Sequence, residues 1–129
     1  MKFILSCFIF LSSISCAPAS YNNPGIKNIT VQEAIQIRTE KDLIVLDVRT
    51  PEEYQSGHLQ DAKNVNFLAG DFDTQIKSLD KSKKYVVYCK KGGRSRKASE
   101  VLVQAGFENV LDVSGGFDAW KAQNLPIKK

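Results

Sequence analysis

The chain has 129 residues, of which 43% are hydrophobic and 25% charged, and its formal net charge at pH 7 is +4. This length accommodates one domain with an adequate core, and no segment repeats internally. The positive excess is small, and the basic stretch at residues 81–84 lacks the interleaved aromatic side chains of a nucleic-acid surface. We therefore expect a monomer that binds no nucleic acid.

The first segment has the features of an export signal. Lys2 supplies a minimal positive charge, and the apolar run Phe3–Ile14 that follows is interrupted only by serines and Cys7. A run of 12 residues is too short to span a bilayer but fits the apolar region of a signal peptide. The sequence therefore predicts export, to the periplasm or to the cell surface.

Two cleavage patterns follow this apolar run. Residues 13–16 resemble a loose lipobox, in which Cys16 would be lipidated and become the new N-terminus, so that residues 1–15 form the signal. Residues 17–19 have the small-x-small form of an ordinary cleavage site, which would end the signal at residue 19. The cysteine favours the first pattern, and thus membrane attachment, because unpaired cysteines are uncommon in exported chains.

Downstream of the signal, residues 16–28 are predicted to form a flexible tether and residues 29–129 the folded domain. Within the domain, apolar periodicity and two capping-box patterns, Thr30 with Glu33 and Thr50 with Glu53, predict alternating helices and strands. In chain order we expect a helix from Thr30 to about Thr39, a strand over Leu43–Asp47, a short helix capped by Thr50 and closed by Gly57, a strand over Val65–Phe67, a helix capped by Asp71, a central strand over Tyr85–Tyr88, a helix ending before Gly106, a strand over Val110–Val113 and a helix over Phe117–Gln123. This alternation indicates an α/β fold, an open parallel sheet with helices on both faces.

The central strand leads into the most informative stretch of the sequence. Residues 85–88 are β-branched or aromatic and predict a strand buried on both faces, and Cys89 stands where the strand stops. Apolar residues recur at helical spacing over 98–105, which predicts a helix that begins near Arg94 or Ser95. Free N–H groups and the helix dipole favour an anion at a helix N-terminus, and hence the thiolate form of Cys89.

The loop between the cysteine and this helix is basic and rich in glycine. Gly92 and Gly93 can take positive φ angles, which lets successive N–H groups converge into an anion-binding nest. The candidate active-loop residues are Lys90, Lys91, Gly92, Gly93, Arg94 and Ser95. A buried structural cysteine beside a solvated turn is the alternative interpretation.

Asp47 and Arg49 are candidate supporting residues. They lie at the carboxyl end of a predicted strand, the side on which open α/β sheets place their ligands. A strand-end salt bridge is the simpler interpretation of the pair, and we expect support of a site rather than direct chemistry.

Three stretches of the chain resemble the single-domain rhodaneses, a family of thiosulfate or persulfide sulfurtransferases. The shared segments are Cys89–Ser95; Leu46–Arg49 with Glu53, Tyr54, Gly57–Leu59, Ala62 and Asn64; and Ser114–Phe117 with Trp120. They occur in the order and at the spacing of the family, and the resemblance extends from about Ile29 to Ile127.

The resemblance implies that Cys89 is the nucleophile of a sulfurtransferase. The thiolate would take the outer sulfur of a small anionic donor such as thiosulfate, or of a persulfide, and pass it as Cys89 persulfide to cyanide or a thiol, without a cofactor or a metal. Arg94 and the loop lysines would orient the donor, whereas Asp47 and Arg49 would support the loop. The Gly-His-Leu segment containing His58 would be structural.

Two other functions share this fold. Phosphatases of the same fold have five residues between the cysteine and the arginine of the loop, whereas this chain has four between Cys89 and Arg94. A non-catalytic rhodanese-like binding module is the second alternative, which is typical of sequences that lack the cysteine. The length of the loop and the presence of Cys89 favour sulfur transfer.

Overall fold

The computed structural model describes residues 23–129. The predicted signal, both candidate cleavage sites, Cys16 and the first part of the predicted tether lie outside the described residues. The strands are β1 (Ile26–Ile29), β2 (Leu43–Asp47), β3 (Lys63–Asn64), β4 (Lys84–Tyr88) and β5 (Asn109–Val113). The helices are α1 (Val31–Ile37), α2 (Pro51–Ser56), α3 (Phe72–Gln75), which continues as a 3₁₀ turn over Ile76–Ser78, α4 (Gly93–Gln104) and α5 (Gly116–Ala122). None of the helices within residues 23–129 is both long and apolar enough to cross a membrane.

The five strands form one parallel sheet in the order β1-β5-β4-β2-β3. β4 lies at the centre, with Val86 paired to Val45 of β2 on one side and to Leu111 of β5 on the other. Because all strands run in the same direction, their carboxyl ends lie along a single edge of the sheet. Asp47, at the end of β2, and Cys89, directly after β4, therefore lie at the same edge. The predicted α/β architecture is confirmed.

Alternation along the strands divides the interior into two cores, one on each face of the sheet. Tyr85 and Val87 of β4 pack on one side with α3 and α4, whereas Val86 and Tyr88 pack on the other with α1 and α5. Successive side chains of a strand point to opposite faces, so a strand covered on both sides has apolar residues at every position. The uncharged run at residues 85–88 follows from this arrangement.

Both predicted capping boxes are present. The hydroxyls of Thr30 and Thr50 accept hydrogen bonds from the N–H groups of Glu33 and Glu53, whose carboxylates accept from the backbone of the threonines in return. Each box satisfies two N–H groups that the first helical turn would otherwise leave unpaired. α1 ends at Ile37, two residues before its predicted end.

The structure corrects three predictions about secondary structure. The predicted tether is too long, because Ile26–Ile29 form β1 and pair with β5; the run holds only two apolar residues, so its own sequence gives a weak strand signal. The third strand is Lys63–Asn64 rather than Val65–Phe67. Val65 instead follows the strand, with its N–H bonded to the carbonyl of Asp47 at 2.9 Å. Asp71 does not cap α3 through its side chain, which accepts a hydrogen bond from Gln75 instead.

Candidate active site

Cys89 lies at the carboxyl edge of the sheet, directly after β4. It is 1% exposed, and its Sγ accepts a hydrogen bond from the backbone N–H of Gly92 at 3.0 Å. Gly92 adopts a left-handed backbone conformation, with φ at 119°, which side-chain-bearing residues rarely adopt. This turn folds the loop back over the sulfur and aims an N–H at it. A donor in this position favours negative charge on Cys89.

The loop continues directly into α4, whose first residue is Gly93, one position before the predicted start. Gly92 is the N-cap of α4. Because glycine has no side chain, no N-cap side chain accepts a hydrogen bond from the first N–H groups of the helix. A side chain added at Gly93 would meet no atom within 4 Å, so this part of the loop borders open space. An anion next to the sulfur could therefore reach free N–H groups.

The first turn of α5 holds the other end of the loop. The N–H groups of Phe117 and Asp118 donate to the carbonyls of Cys89 and Lys90, at 2.8 and 3.0 Å. This approach requires glycine at position 116, because an added Cβ would lie 2.8 Å from the carbonyl oxygen of Lys90. Gly116 therefore lets the first turn of α5 come close enough to hold the backbone of Cys89 and Lys90.

Two of the three basic loop side chains are held by carboxylates. Lys90 Nζ lies 2.8 Å from Oδ2 of Asp118, and Arg94 binds Glu53 at two points, Nη1 to Oε1 at 2.7 Å and Nη2 to Oε2 at 3.0 Å. Within residues 23–129, no carboxylate lies within ion-pair distance of Lys91. Lys91 is thus the basic loop side chain best able to contact an anionic ligand.

These ion pairs shift the protonation of their members. The hydrogen bond from Arg94 lowers the pKa of Glu53 to about 2, despite partial burial. The same bond raises the pKa of Arg94, and a charge on Cys89 raises it further. Lys90 in turn lowers the pKa of Asp118 through its hydrogen bond. Glu53, Arg94 and Asp118 are therefore charged at neutral pH, and each basic side chain lies beside a carboxylate that balances its charge.

Asp47 and Arg49 form a buried ion pair under the loop. Arg49 Nη2 lies 2.7 Å from Oδ2 of Asp47 and also donates to the carbonyl of Gly57 at 2.7 Å, while Tyr88 Oη donates to Oδ2 of Asp47 at 2.6 Å. The guanidinium lies over the ring of Phe117, 4.2 Å from its centroid. Phe117 is the residue whose N–H holds the carbonyl of Cys89. The pair thus reaches the loop through α5.

Hydrogen bonds hold this buried, charged network together. Burial lowers the pKa of Arg49, but the hydrogen bond and the charge of Asp47 outweigh it, so the net shift is upward. Burial together with the charge of Asp47 raises the pKa of Tyr88, which keeps its hydroxyl protonated as a donor. Because a buried ion needs every lone pair and proton matched, these contacts link β2, β4 and α2 tightly.

The structure brings Cys89, the loop and the Asp47–Arg49 pair together at one edge of the sheet. Ser95 also lies there, fully buried, with its Oγ 3.2 Å from the carbonyl oxygen of Gly92. His58 instead stacks on the ring of Tyr54 at 3.8 Å, and its Nδ1 hydrogen bonds the Tyr54 carbonyl. These contacts are structural.

Three residues at the site were not identified as site residues from the sequence. The sequence marks Glu53 as a capping-box residue and as a position shared with the rhodaneses, and it does not single out Asp118, yet both carboxylates bind loop cations. Tyr88 was treated as a core residue, yet its hydroxyl binds Asp47. The sequence does show that the first turns of α2 and α5 are acidic and that the loop is basic, so ion pairs between them could be expected. Spacing along the chain does not show which carboxylate pairs with which cation.

The chain is similar to proteins of known family. A family model described as the rhodanese-like domain matches residues 30–123. The thiosulfate sulfurtransferase 16 of Arabidopsis thaliana, a chloroplastic protein, is 38% identical over 113 residues, covering 76% of this chain and 94% of that protein. The thiosulfate sulfurtransferase GlpE of Pseudomonas putida is 33% identical over 97 residues, covering 74% of this chain and 86% of that protein.

Solved structures give the same result. A rhodanese-related protein from Thermoplasma volcanium superposes with a TM-score of 0.71 at 32% identity and covers 79% of this chain and 97% of its own. A protein from Rhodopseudomonas palustris, described as a possible tyrosine phosphatase, has a TM-score of 0.73 at 26% identity and covers 82% of this chain and 87% of its own. Because the family model spans most of the folded part and the sulfurtransferase relatives are matched over most of their length, the chain belongs to the rhodanese family.

Proposed function

We propose that the protein is a sulfurtransferase that carries sulfur as a persulfide on Cys89. The Cys89 thiolate attacks the outer sulfur of thiosulfate or of a persulfide; the Sγ–S bond forms as the donor's S–S bond breaks, and sulfite or a thiol leaves with the electron pair. Cyanide or a thiolate then attacks the outer sulfur of the Cys89 persulfide; the Sγ–S bond breaks, thiocyanate or the persulfide of the acceptor leaves, and the electron pair returns to Sγ as the thiolate. The N–H of Gly92, 3.0 Å from Sγ, is the observation that carries this proposal.

The charges at the site support an anionic sulfur donor. The nucleophile and the persulfide it forms are both negatively charged, and the loop N–H groups stabilise such charge without moving. Lys91, with no carboxylate within ion-pair distance in the described part of the chain, neutralises the outer end of the donor. Lys90 and Arg94 hold their carboxylates and shape the loop.

A phosphatase is the rival that the Rhodopseudomonas palustris neighbour suggests. Phosphatase activity needs an arginine whose guanidinium is free to donate two hydrogen bonds to the phosphate. In this structure both terminal nitrogens of Arg94 are bound to Glu53. The four-residue spacing between Cys89 and Arg94 also gives a shorter loop than the phosphatases of this fold have. Both features favour sulfur over phosphate.

Mass spectrometry separates sulfur transfer from its rivals. Wild-type protein incubated with thiosulfate, or with glutathione persulfide, should gain about 32 Da, one sulfur atom, on the peptide that contains Cys89, and cyanide should remove it as thiocyanate. Cys89→Ser should gain nothing, because a serine hydroxyl is not ionised at neutral pH. A binding module would gain no sulfur, and a phosphatase would release phosphate from an aryl phosphate. Failure of the wild type to gain sulfur from either donor would refute the proposal.

We also propose that the protein is exported and attached to a membrane through a lipid on Cys16. The proposal rests on the apolar run Phe3–Ile14 followed by a cysteine. Cys16→Ser should move the protein from the membrane fraction to the soluble fraction and leave the activity of the folded domain unchanged. A wild-type protein that is already soluble, with its N-terminus at Ser20, would establish ordinary cleavage instead.

A further inference from the structure

The chain that follows α5 folds back over the backbone next to α2. This strap, residues 126–128, is exposed to solvent, yet three hydrogen bonds hold its backbone. Trp120 of α5, which is 2% exposed, donates from Nε1 to the carbonyl of Pro126 at 2.9 Å. Lys128 and His58 form an antiparallel bridge, in which the N–H of each donates to the carbonyl of the other, at 2.8 and 2.9 Å. The strap therefore connects α5 to the segment that follows α2.

Gly57 lies next to the strap. A Cβ added at this position would lie 3.6 Å from both Cδ1 of Ile127 and the carbonyl oxygen of Lys128, and 3.5 Å from Cζ of Phe117. Gly57 has a φ of 153°, which residues with a side chain rarely adopt. A glycine has more backbone freedom than any other residue, so its carbonyl keeps one direction only where its neighbours hold it. The strap and the bridge at His58, the next residue, provide that restraint.

The carbonyl of Gly57 accepts a hydrogen bond from the buried guanidinium of Arg49. Arg49 Nη2 donates to this carbonyl at 2.7 Å and to Oδ2 of Asp47 at the same distance. Arg49 is 2% exposed, and a buried charged group is stable only where acceptors match its N–H groups. The direction of the Gly57 carbonyl therefore contributes to the position of the guanidinium.

Arg49 and Gly57 both contact the residue that holds Cys89. The guanidinium of Arg49 lies 4.2 Å from the centroid of the Phe117 ring, and the backbone of Gly57 lies beside the edge of that ring. The N–H of Phe117 donates to the carbonyl of Cys89 at 2.8 Å. Direct contacts therefore connect the strap to the backbone of Cys89 at every step.

We propose that the strap is a positioning element for Cys89: it holds the Gly57 carbonyl against Arg49 and so keeps the first turn of α5 in place against the active-site loop. Lys128 is the positioning residue of the strap, and it acts through its backbone. This inference rests on the proposed function, because it concerns the same cysteine. Hydrogen exchange at the first turn of α5 tests it without any sulfur transfer.

A proline substitution tests the role of the strap. Lys128→Pro removes the N–H that donates to the carbonyl of His58. Lys129→Pro is the matched control, because it places the same ring one position further along the chain, where the N–H has no hydrogen-bond partner among residues 23–129. The readout is hydrogen–deuterium exchange of the Phe117 amide, followed by NMR. The amide of Val86, on the central strand, is the reference for global opening.

In Lys128→Pro the Phe117 amide should exchange roughly two- to tenfold faster than in the wild type, and the Val86 amide should change less. Sulfur loading from thiosulfate should slow by a similar factor, and Lys129→Pro should follow the wild type in both measurements. Equal acceleration of the Phe117 and Val86 amides would overturn the proposal, because the strap would then contribute to global stability alone. An unchanged exchange rate at Phe117 would overturn it as well.

A double-mutant cycle tests the route through Arg49. In Arg49→Lys one ammonium group replaces the planar guanidinium, so the side chain cannot join the Gly57 carbonyl to Asp47 in the same way. Adding Lys128→Pro to this variant should accelerate exchange at Phe117 by less than about twofold further. The same further acceleration in both backgrounds would overturn the route through Arg49. If Arg49→Lys does not fold, the comparison of Lys128→Pro with Lys129→Pro still decides the proposal.

The two proposals fail in different ways. Hydrogen exchange needs no sulfur donor, so it gives its answer even if Cys89 never accepts sulfur from thiosulfate or a persulfide. Sulfur transfer by the wild type together with unchanged Phe117 exchange in Lys128→Pro would instead support the sulfurtransferase and overturn the role of the strap.

Discussion

The carboxylate of Glu53 both closes the capping box of α2 and binds Arg94 at two points, with Nη1–Oε1 at 2.7 Å and Nη2–Oε2 at 3.0 Å. One side chain therefore ties the start of α2 to the first turn of α4. The paired arrangement is planar and directional, which only arginine among the basic residues provides. Arg94 is consequently a fixed part of the loop.

Glu53→Gln should lower stability and change donor selectivity together. The substitution keeps the shape of the side chain but removes the charge that Arg94 binds, so the free energy of unfolding should fall by about 1 to 2 kcal/mol. The loop gains one net positive charge, so loading by dianionic thiosulfate should accelerate at low salt. Urea unfolding and loading rates measure the two effects. Glu52→Gln is the control, because it removes a neighbouring charge on α2. If Glu52→Gln changed the unfolding free energy and the loading rate as much as Glu53→Gln does, the pair with Arg94 would have no specific role.

The same pair predicts a pH dependence in acid. In the unfolded chain the Glu53 carboxyl has its ordinary pKa of 4.5, whereas in the folded protein its pKa is about 2. Between these values the unfolded chain binds more protons, so stability rises with pH in this window. The contribution is present above about pH 4.5 and is lost as the pH falls toward 2. In Glu53→Gln this part of the slope should be absent from the plot of unfolding free energy against pH.

Arg49→Ala should destabilise the domain far more than the loss of a surface ion pair. It leaves the charge of Asp47 buried and unpaired, which costs about 3 to 5 kcal/mol. The guanidinium over Phe117 is lost at the same time, so the loop loses support and sulfur transfer should fall. Lys84→Ala is the control, because the pair of Lys84 with Glu40 is exposed and should contribute less than about 1 kcal/mol. Full activity in Arg49→Ala and in Asp47→Ala would show that the pair does not support the loop.

Lys91→Ala should slow sulfur loading in a salt-dependent way. Lys91 is the loop cation with no carboxylate within ion-pair distance in residues 23–129, so it attracts the anionic donor through space. The rate should fall severalfold at low ionic strength, roughly two- to tenfold, and approach the wild-type rate in concentrated salt. Lys41→Ala removes the same charge before β2, at the opposite edge of the sheet. If both variants lose rate equally, the net charge of the protein and not Lys91 governs loading.

Asp112→Asn should stabilise the folded protein at neutral pH. Because burial raises the pKa of Asp112 above its ordinary 3.8, the folded protein binds more protons than the unfolded chain just above that value. Stability therefore falls as the pH rises through this window, which is the opposite of the Glu53 case. The asparagine variant does not ionise, so its advantage in urea unfolding should be absent near pH 3 and present at pH 7. Asp73→Asn, an exposed change on α3, should have little effect at either pH.

Local sequence determined the parts of the site that lie next to one another in the chain. The uncharged run at residues 85–88, the cysteine after it, the two glycines and the apolar period over 98–105 are adjacent, so strand, turn and helix could each be predicted from short-range rules. In each capping box the glutamate lies three positions after the threonine, so both boxes could be predicted for the same reason. The order of these elements also fixed the parallel sheet, since successive strands separated by helices must run the same way.

Tertiary structure decided which side chains meet at the carboxyl edge. Glu53 and Arg94 are 41 residues apart and Lys90 and Asp118 are 28 apart, and several carboxylates were equally available to each cation along the chain. β1 is not predicted from the sequence for a related reason. The segment has few apolar residues and forms a strand because it pairs with the edge of β5. Local propensity acts over a few residues, whereas partner choice depends on how α2, α4 and α5 pack on the sheet.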